Sequence, residues 1–144
     1  MKLIIIVISL AFLILGGGVW LLTKGSVPSA PESEIIARNG IHWHPKLHLY
    51  LHGEPIILED NIGRKGVEQP IHTHAEDYQD GVIHLEFPGV VAKNQTRLAN
   101  FFKIWGKDFN WGTEQMIMTV NGQTNTDLAN YPMKDGDLIE IRYE

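Results

Sequence analysis

Two histidine pairs of the form H-x-H, His42-Trp43-His44 and His72-Thr73-His74, and the run Val82-Ile83-His84-Leu85-Glu86-Phe87 hold the side chains of this sequence best suited to chemistry. In an extended segment, side chains at i and i+2 point to one face. His72 and His74 therefore share a face, as do Val82, His84 and Glu86, while Ile83, Leu85 and Phe87 point the other way. Imidazole nitrogen is a ligand for both Zn²⁺ and Cu²⁺, and two rings side by side on a strand make a bidentate start. A simple hairpin through the loop 75–81 places His72 beside His84, which adds a third nitrogen. Glu86 is then a fourth ligand, or the acceptor that fixes one ring's tautomer. His42 and His44, in a segment stiffened by Trp43 and Pro45, can fold over the first pair. The expected metal ligands are thus His72, His74, His84 and Glu86, joined by His42 and His44, with a copper or zinc ion as the cofactor.

The bland alternative is a polar sheet face on which Thr73 and His84 make ordinary cross-strand contacts. Five of the 7 histidines fall in the two pairs and at His84, and the metal reading rests on that clustering. His48 and His52 are i,i+4, too far apart along a strand to chelate one ion. Met116 and Met118 form another i,i+2 pair, but methionine more often fills gaps in a small core. No separately identifiable base or nucleophile pair accompanies the histidines, so no catalytic residue is expected and enzymatic turnover ranks third among the functions.

These residues need extended segments and something to pack them on. Residues 46–52 alternate, with Leu47, Leu49 and Leu51 on one side and His48, Tyr50 and His52 on the other, which predicts a first strand. Gly53-Glu54 turns the chain, and 55–59 returns as a second strand in which Pro55 can stand only at the start or on an edge. Residues 60–70 form an irregular loop with a solvated tip at Arg64-Lys65-Gly66. Leu98, Phe101, Phe102 and Trp105 recur at i, i+3, i+4 and i+7, which predicts one helix of about 10 to 12 residues. Asn94 or Thr96 is its expected cap, and Gly106 its left-handed terminator. Residues 115–120 run into Asn121-Gly122, a type I′ hairpin signal, and 137–143 form the last strand.

At 144 residues there is room for one domain. Residues 3–22 carry no charge and are flanked by Lys2 and Lys24; at about 1.5 Å per residue they span roughly 30 Å, the thickness of a hydrocarbon core. The run is longer than the apolar part of a signal peptide, so an uncleaved single-pass anchor over 1–24 is expected, with the remainder extracytoplasmic. A Pro/Ser-rich spacer over 25–38 then leads to the domain at 39–144. Without Lys2 and Lys24, ten of the 12 basic residues face 17 acidic ones, a net charge of −7, which gives no support to nucleic-acid binding. There are 0 cysteines, so disulfides, tetrathiolate zinc and iron–sulfur clusters are excluded.

Residues 118–122 and the run Met133-Lys134-Asp135-Gly136-Asp137-Leu138-Ile139-Glu140-Ile141 resemble the final strands of ubiquitin-like β-grasp domains, where a Gly-Asp loop leads into the last central strand. That resemblance covers about the last 30 residues. It implies an α+β domain, a β-grasp-like mixed sheet with one main helix. It lacks the Gly-Gly tail of the conjugating members and implies no conjugation chemistry. More broadly, His42-Trp43-His44-Pro45, Ile71-His72-Thr73-His74, Val82-Ile83-His84-Leu85-Glu86 and Phe101-Phe102-Lys103-Ile104-Trp105-Gly106 resemble a widespread family of small prokaryotic membrane-anchored or exported domains without an established activity. The spacing from Gly66 to His72-Thr73-His74 also resembles the opening of a cupin motif, but Tyr78 and Gln79 stand where its Glu belongs and the second motif is absent. The function expected is a membrane-anchored transition-metal site. The rival is a non-catalytic accessory subunit of an envelope complex, docking through the aromatic residues Phe109 and Trp111 that fall outside the helical period.

Overall fold

In the computed structural model, which describes residues 30–113 and 115–144, the strands are β1 (Ile35–Ala37), β2 (Ile41–Trp43), β3 (Lys46–Leu51), β4 (Glu54–Ile56), β5 (Ile71–His72), β6 (His84–Phe87), β7 (Val91–Ala92), β8 (Met116–Val120), β9 (Gln123–Thr124) and β10 (Leu138–Tyr143). The α-helix among the described residues is α1 (Leu98–Trp105). The anchor expected over 1–24 and the spacer up to residue 29 lie outside the described residues. Among the described residues no helix is long and apolar enough to cross a membrane. The later part of the expected spacer is part of the fold: β1 pairs antiparallel with β7, Ile35 opposite Ala92, and the compact unit runs Glu32–Glu144. Proline and serine mark the spacer, but Ile35-Ile36 is strand-forming, and its strand pairs with the buried Val91 and Ala92.

Alternation in the long strands decides the main layer. The sheet runs β4-β3-β10-β8-β9, with β3 and β10 parallel and the other neighbours antiparallel. This is a mixed sheet of β-grasp-like topology. The likeness visible in the last strands therefore extends to the first hairpin. Ile139 sits opposite Leu47, and Ile141 opposite both Leu49 and Met118, so their apolar sides share one face. That face packs with Leu98, Phe101 and Phe102 of α1 in one hydrophobic core. Met118 and Met133 are both buried in it, and Met116 packs against it partly buried. His48, Tyr50 and Arg142 are on the opposite face, where the Arg142 guanidinium lies 4.3 Å from the Tyr50 ring centre.

The helix is eight residues long, shorter than its stripe suggested, and Arg97 occupies the N-cap. Residues 93–95 form a 3-10 turn instead of a first α-turn; Thr96 Oγ1 turns back to the Lys93 carbonyl at 3.3 Å, and the Asn94 carbonyl accepts from Asn100 Nδ2 at 2.8 Å. Gly106 terminates α1 at φ 75°, as its position suggested. The hairpin at Asn121-Gly122 also has the two positive φ values, 52° and 79°, that a type I′ turn needs. The first hairpin turns at His52-Gly53, one residue earlier than expected. The Gly-Asp loop is tied down by Asp137, 5% exposed, whose carboxylate accepts from Tyr131 Oη, Lys134 N and Asn121 Nδ2 at 2.8, 2.9 and 3.1 Å. Burial and the neighbouring Asp137 carboxylate push the Tyr131 phenol well above its ordinary value.

A second sheet, β2-β6-β5, carries the histidines. Its registers place His42 opposite Glu86, Trp43 opposite Leu85, Ile71 opposite Leu85 and His72 opposite His84. One face is consequently His42, Glu86, His84 and His72, and the other Ile41, Trp43, Leu85, Phe87 and Ile71. Ile71 and Leu85 belong to the core shared with α1, so the apolar face seats this sheet and leaves the imidazoles on the far side.

Candidate metal centre

The central residue is His84, on the middle strand of the small sheet. It is only 9% exposed. Its Nε2 lies 2.9 Å from Asp77 Oδ2, and a carboxylate oxygen can only accept, so the proton sits on Nε2. That leaves Nδ1 with a free lone pair, buried and without a hydrogen-bond partner among the described residues. A carboxylate holding the far nitrogen of a ligating imidazole is the arrangement that orients metal-binding histidines. Burial holds His84 below its ordinary pKa although the Asp77 hydrogen bond acts the other way, with His74 and His44 adding to the lowering.

Its neighbours aim at the same place. The His72 ring is stacked on that of His84 at 5.6 Å between centroids, and the His74 ring is at 4.1 Å. His72 Nδ1 lies 2.8 Å from the Gln69 carbonyl, which must accept, so His72 likewise turns an unprotonated Nε2 to the cluster. His72 Nε2 and His74 Nε2 are 2.9 Å apart. Without an ion the second of these carries the proton between them, and His74 Nδ1 then accepts from Arg64 Nη1 at 3.4 Å. His72, His74, His84 and Glu86 each offer a ligand atom within 4.8 Å of the others. Tetrahedral ligands at zinc bond lengths sit roughly 3.3 Å apart, so small side-chain rotations bring the set to bonding distance. The His/Glu cluster is geometrically compatible with a divalent metal ion.

The other expected pair is nearby. His42, His44 and His84 form a second set within 4.8 Å. His42 Nε2 is 3.1 Å from Glu86 Oε1, and the His44 ring meets the His84 ring edge-on at 4.7 Å. Their segment is held from two sides: His44 N donates to Asp135 Oδ1 at 2.8 Å, and Ile83 N donates to the Pro45 carbonyl at 2.9 Å. His48 and His52 belong to neither set; His48 Nε2 instead lies 3.2 Å from the Asp80 carbonyl.

The loop before β5 is more than a solvated tip. Leu58 and Ile62 are buried, Thr73 Oγ1 donates to the Glu59 carbonyl at 2.8 Å and accepts from Ile62 N at 3.0 Å, and Thr73 N donates to the Ile62 carbonyl at 3.0 Å. Thr73, the middle residue of the H-x-H pair, is therefore the buried anchor that fixes both rings. Gly63 lets this loop pass beneath them: a Cβ there would stand 2.5 Å from the Ile71 carbonyl and 3.2 Å from His72 Cβ. Phe109 and Trp111, expected as a docking patch, extend the aromatic cluster of α1. Phe109 meets Phe102 at 5.1 Å and Trp111 meets Trp105 at 5.5 Å, both partly buried against the core.

Asp77 is the site residue that sequence reasoning missed. It stands in the loop 75–81 among Glu76 and Asp80, and only the 3-10 turn at Tyr78–Asp80 folds it back onto His84. Replacing Asp77 by Ala is expected to weaken Zn²⁺ binding by about 10- to 100-fold without removing a ligand, read by competition with a chromophoric chelator. A change under threefold would show that Asp77 does not orient the ring.

The lowered His84 value also sets a pH dependence. The unfolded chain takes up this proton near the ordinary value of 6.5, before the folded domain does. Stability from the neutral buried ring is present above about pH 6.5 and is lost as pH falls through the folded value. Metal affinity falls in the same direction because ligating imidazoles must be deprotonated. Thermal melts between pH 8 and 5 with chelator present should show a falling Tm that His84→Gln flattens.

No protein-family model, curated protein or solved structure matches this chain.

Proposed function

We propose that this domain is a transition-metal binding module, with His72, His74 and His84 as nitrogen ligands to Zn²⁺ or Cu²⁺ and Glu86 completing the set. The observation that carries the proposal is the buried, unpartnered Nδ1 of His84, facing two further imidazoles while Asp77 holds its other nitrogen. A polar sheet face needs no such atom, since an unsatisfied buried acceptor costs about 1–3 kcal/mol. Nitrogen and oxygen donors without a thiolate or thioether suit the divalent borderline ions over Cu⁺. Tethered by the apolar segment 3–22 on the outer side of a membrane, such a domain would bind or deliver metal for an envelope complex.

Element analysis of the purified full-length chain tests this, before and after chelator treatment and readdition of Zn²⁺ or Cu²⁺. The expected result is stoichiometric, chelator-reversible metal. A chain that neither retains nor rebinds either ion would refute the proposal.

A further inference from the structure

The ligand-capable groups fall into two sets that share His84, and no set with its ligand atoms all within 4.8 Å holds both histidine pairs. The pairs come from opposite sides of β6: His72 from β5 and His42 from β2. Strands two places apart in a sheet are separated by roughly 9.5 Å, so the pairs flank the central strand. His84 lies between them, with the His74 and His72 rings at 4.1 and 5.6 Å on one side and the His44 and His42 rings at 4.7 and 6.4 Å on the other. Nor can His84 serve an ion on each side, because Asp77 occupies its Nε2 and only Nδ1 is available. An ion on the β2 side therefore needs an oxygen ligand. Glu86 Oε1 lies 3.1 Å from His42 Nε2 and 3.9 Å from His84 Nδ1, so one carboxylate reaches His42 of the outer pair and His84 of the inner set.

We infer that the domain holds two divalent ions side by side: an enclosed one on His72, His74 and His84, and a solvent-facing one on His42 and His44, with the Glu86 carboxylate shared between them. The inference rests on the metal-binding reading of the inner set. Burial separates the two in character. His72 is 1% exposed, whereas the His42 side chain is 65% exposed. The outer ion has two nitrogens and one oxygen from the protein and takes water in its remaining positions. It binds more weakly and exchanges faster, as a receiving position beside a holding one should. The outer pair is nevertheless pinned, by the His44 amide on Asp135 and by the register of β2 on β6, so the site is built and not left to a loose segment.

The test is equilibrium dialysis of the detergent-solubilised full-length chain against buffered Zn²⁺ after chelator stripping, with bound metal counted by element analysis. Two ions per chain are expected, with dissociation constants about 100-fold or more apart. His42→Ala with His44→Ala should abolish the weaker ion and leave the tighter one within about threefold, while Glu86→Gln weakens both. His42 and His44 are exposed, and circular dichroism establishes that this variant is folded. Saturation of the wild type at one ion overturns the inference, as does a tenfold or greater weakening of the tighter ion in the His42/His44 variant, since the pair would then cap the same ion. Either outcome leaves the single-ion reading standing. A wild type that binds no Zn²⁺ and no Cu²⁺ removes both.

Discussion

Replacing His72 and His74 together by alanine should lower the affinity for the tighter ion by about four orders of magnitude. A structural zinc site with four ligands has an apparent binding free energy of about 10–16 kcal/mol, roughly 3 kcal/mol per ligand, so each ligand lost costs on the order of 100-fold. Both rings are held in place before any ion arrives, by the Gln69 carbonyl on His72 and by buried Thr73 between them. Their contribution is therefore not diluted by ordering costs on binding. Competition with chelators of graded affinity measures the change. A loss under tenfold would mean that the ion sits elsewhere, and His52→Ala, in the exposed hairpin turn after β3, is the control that should change nothing.

Leu85→Ala has the second large effect, and it works through the opposite face of the same strand. Leu85 is fully buried between the small sheet and the core, opposite Trp43 on one side and Ile71 on the other. Truncating a buried leucine costs about 3 kcal/mol through lost transfer energy and the cavity left behind. Because β6 also carries His84 and Glu86, metal binding and the folding of this sheet are linked. Free Zn²⁺ at about 100 times its dissociation constant should return about 2.7 kcal/mol to wild type and variant alike, provided the ligand face is intact. Urea unfolding with and without Zn²⁺ reads both quantities. If the metal stabilises the wild type but not the Leu85 variant, the cavity has displaced the ligands. If it stabilises neither, the coupling between metal and fold is absent.

Much of this site is legible in the chain because alternation is a local property. Two residues apart on a strand means one face, which puts His72 with His74 and His84 with Glu86 without knowledge of the fold. The same rule marks Leu85 and Phe87 as the seating side, and the periodic aromatic stripe marks α1. The short loop 75–81 makes His72 and His84 neighbours, since closing a short loop costs little entropy. Other features were hidden. The spacer composition masked β1, and the loop 60–70 gave no hint that Thr73 would bury itself against it. Phe109 and Trp111 fall outside the helical period, and their place at the end of the aromatic cluster is set only after Gly106 has turned the chain.

By itself, then, the order of residues determined the β-grasp-like ending, the helical stripe, the Asn121-Gly122 turn and the facing of His48, His72 and His84 along their strands. The tertiary structure decided which faces meet. It set β2 against β6 with His42 opposite Glu86, brought Asp77 to His84, and left His48 on the main sheet and His52 in the hairpin turn after it. Those relations join segments distant in sequence, and a period-two pattern is indifferent to which strand lies alongside. The choice falls to the packing of apolar faces into one core, which leaves five imidazoles and a carboxylate gathered on the side left over.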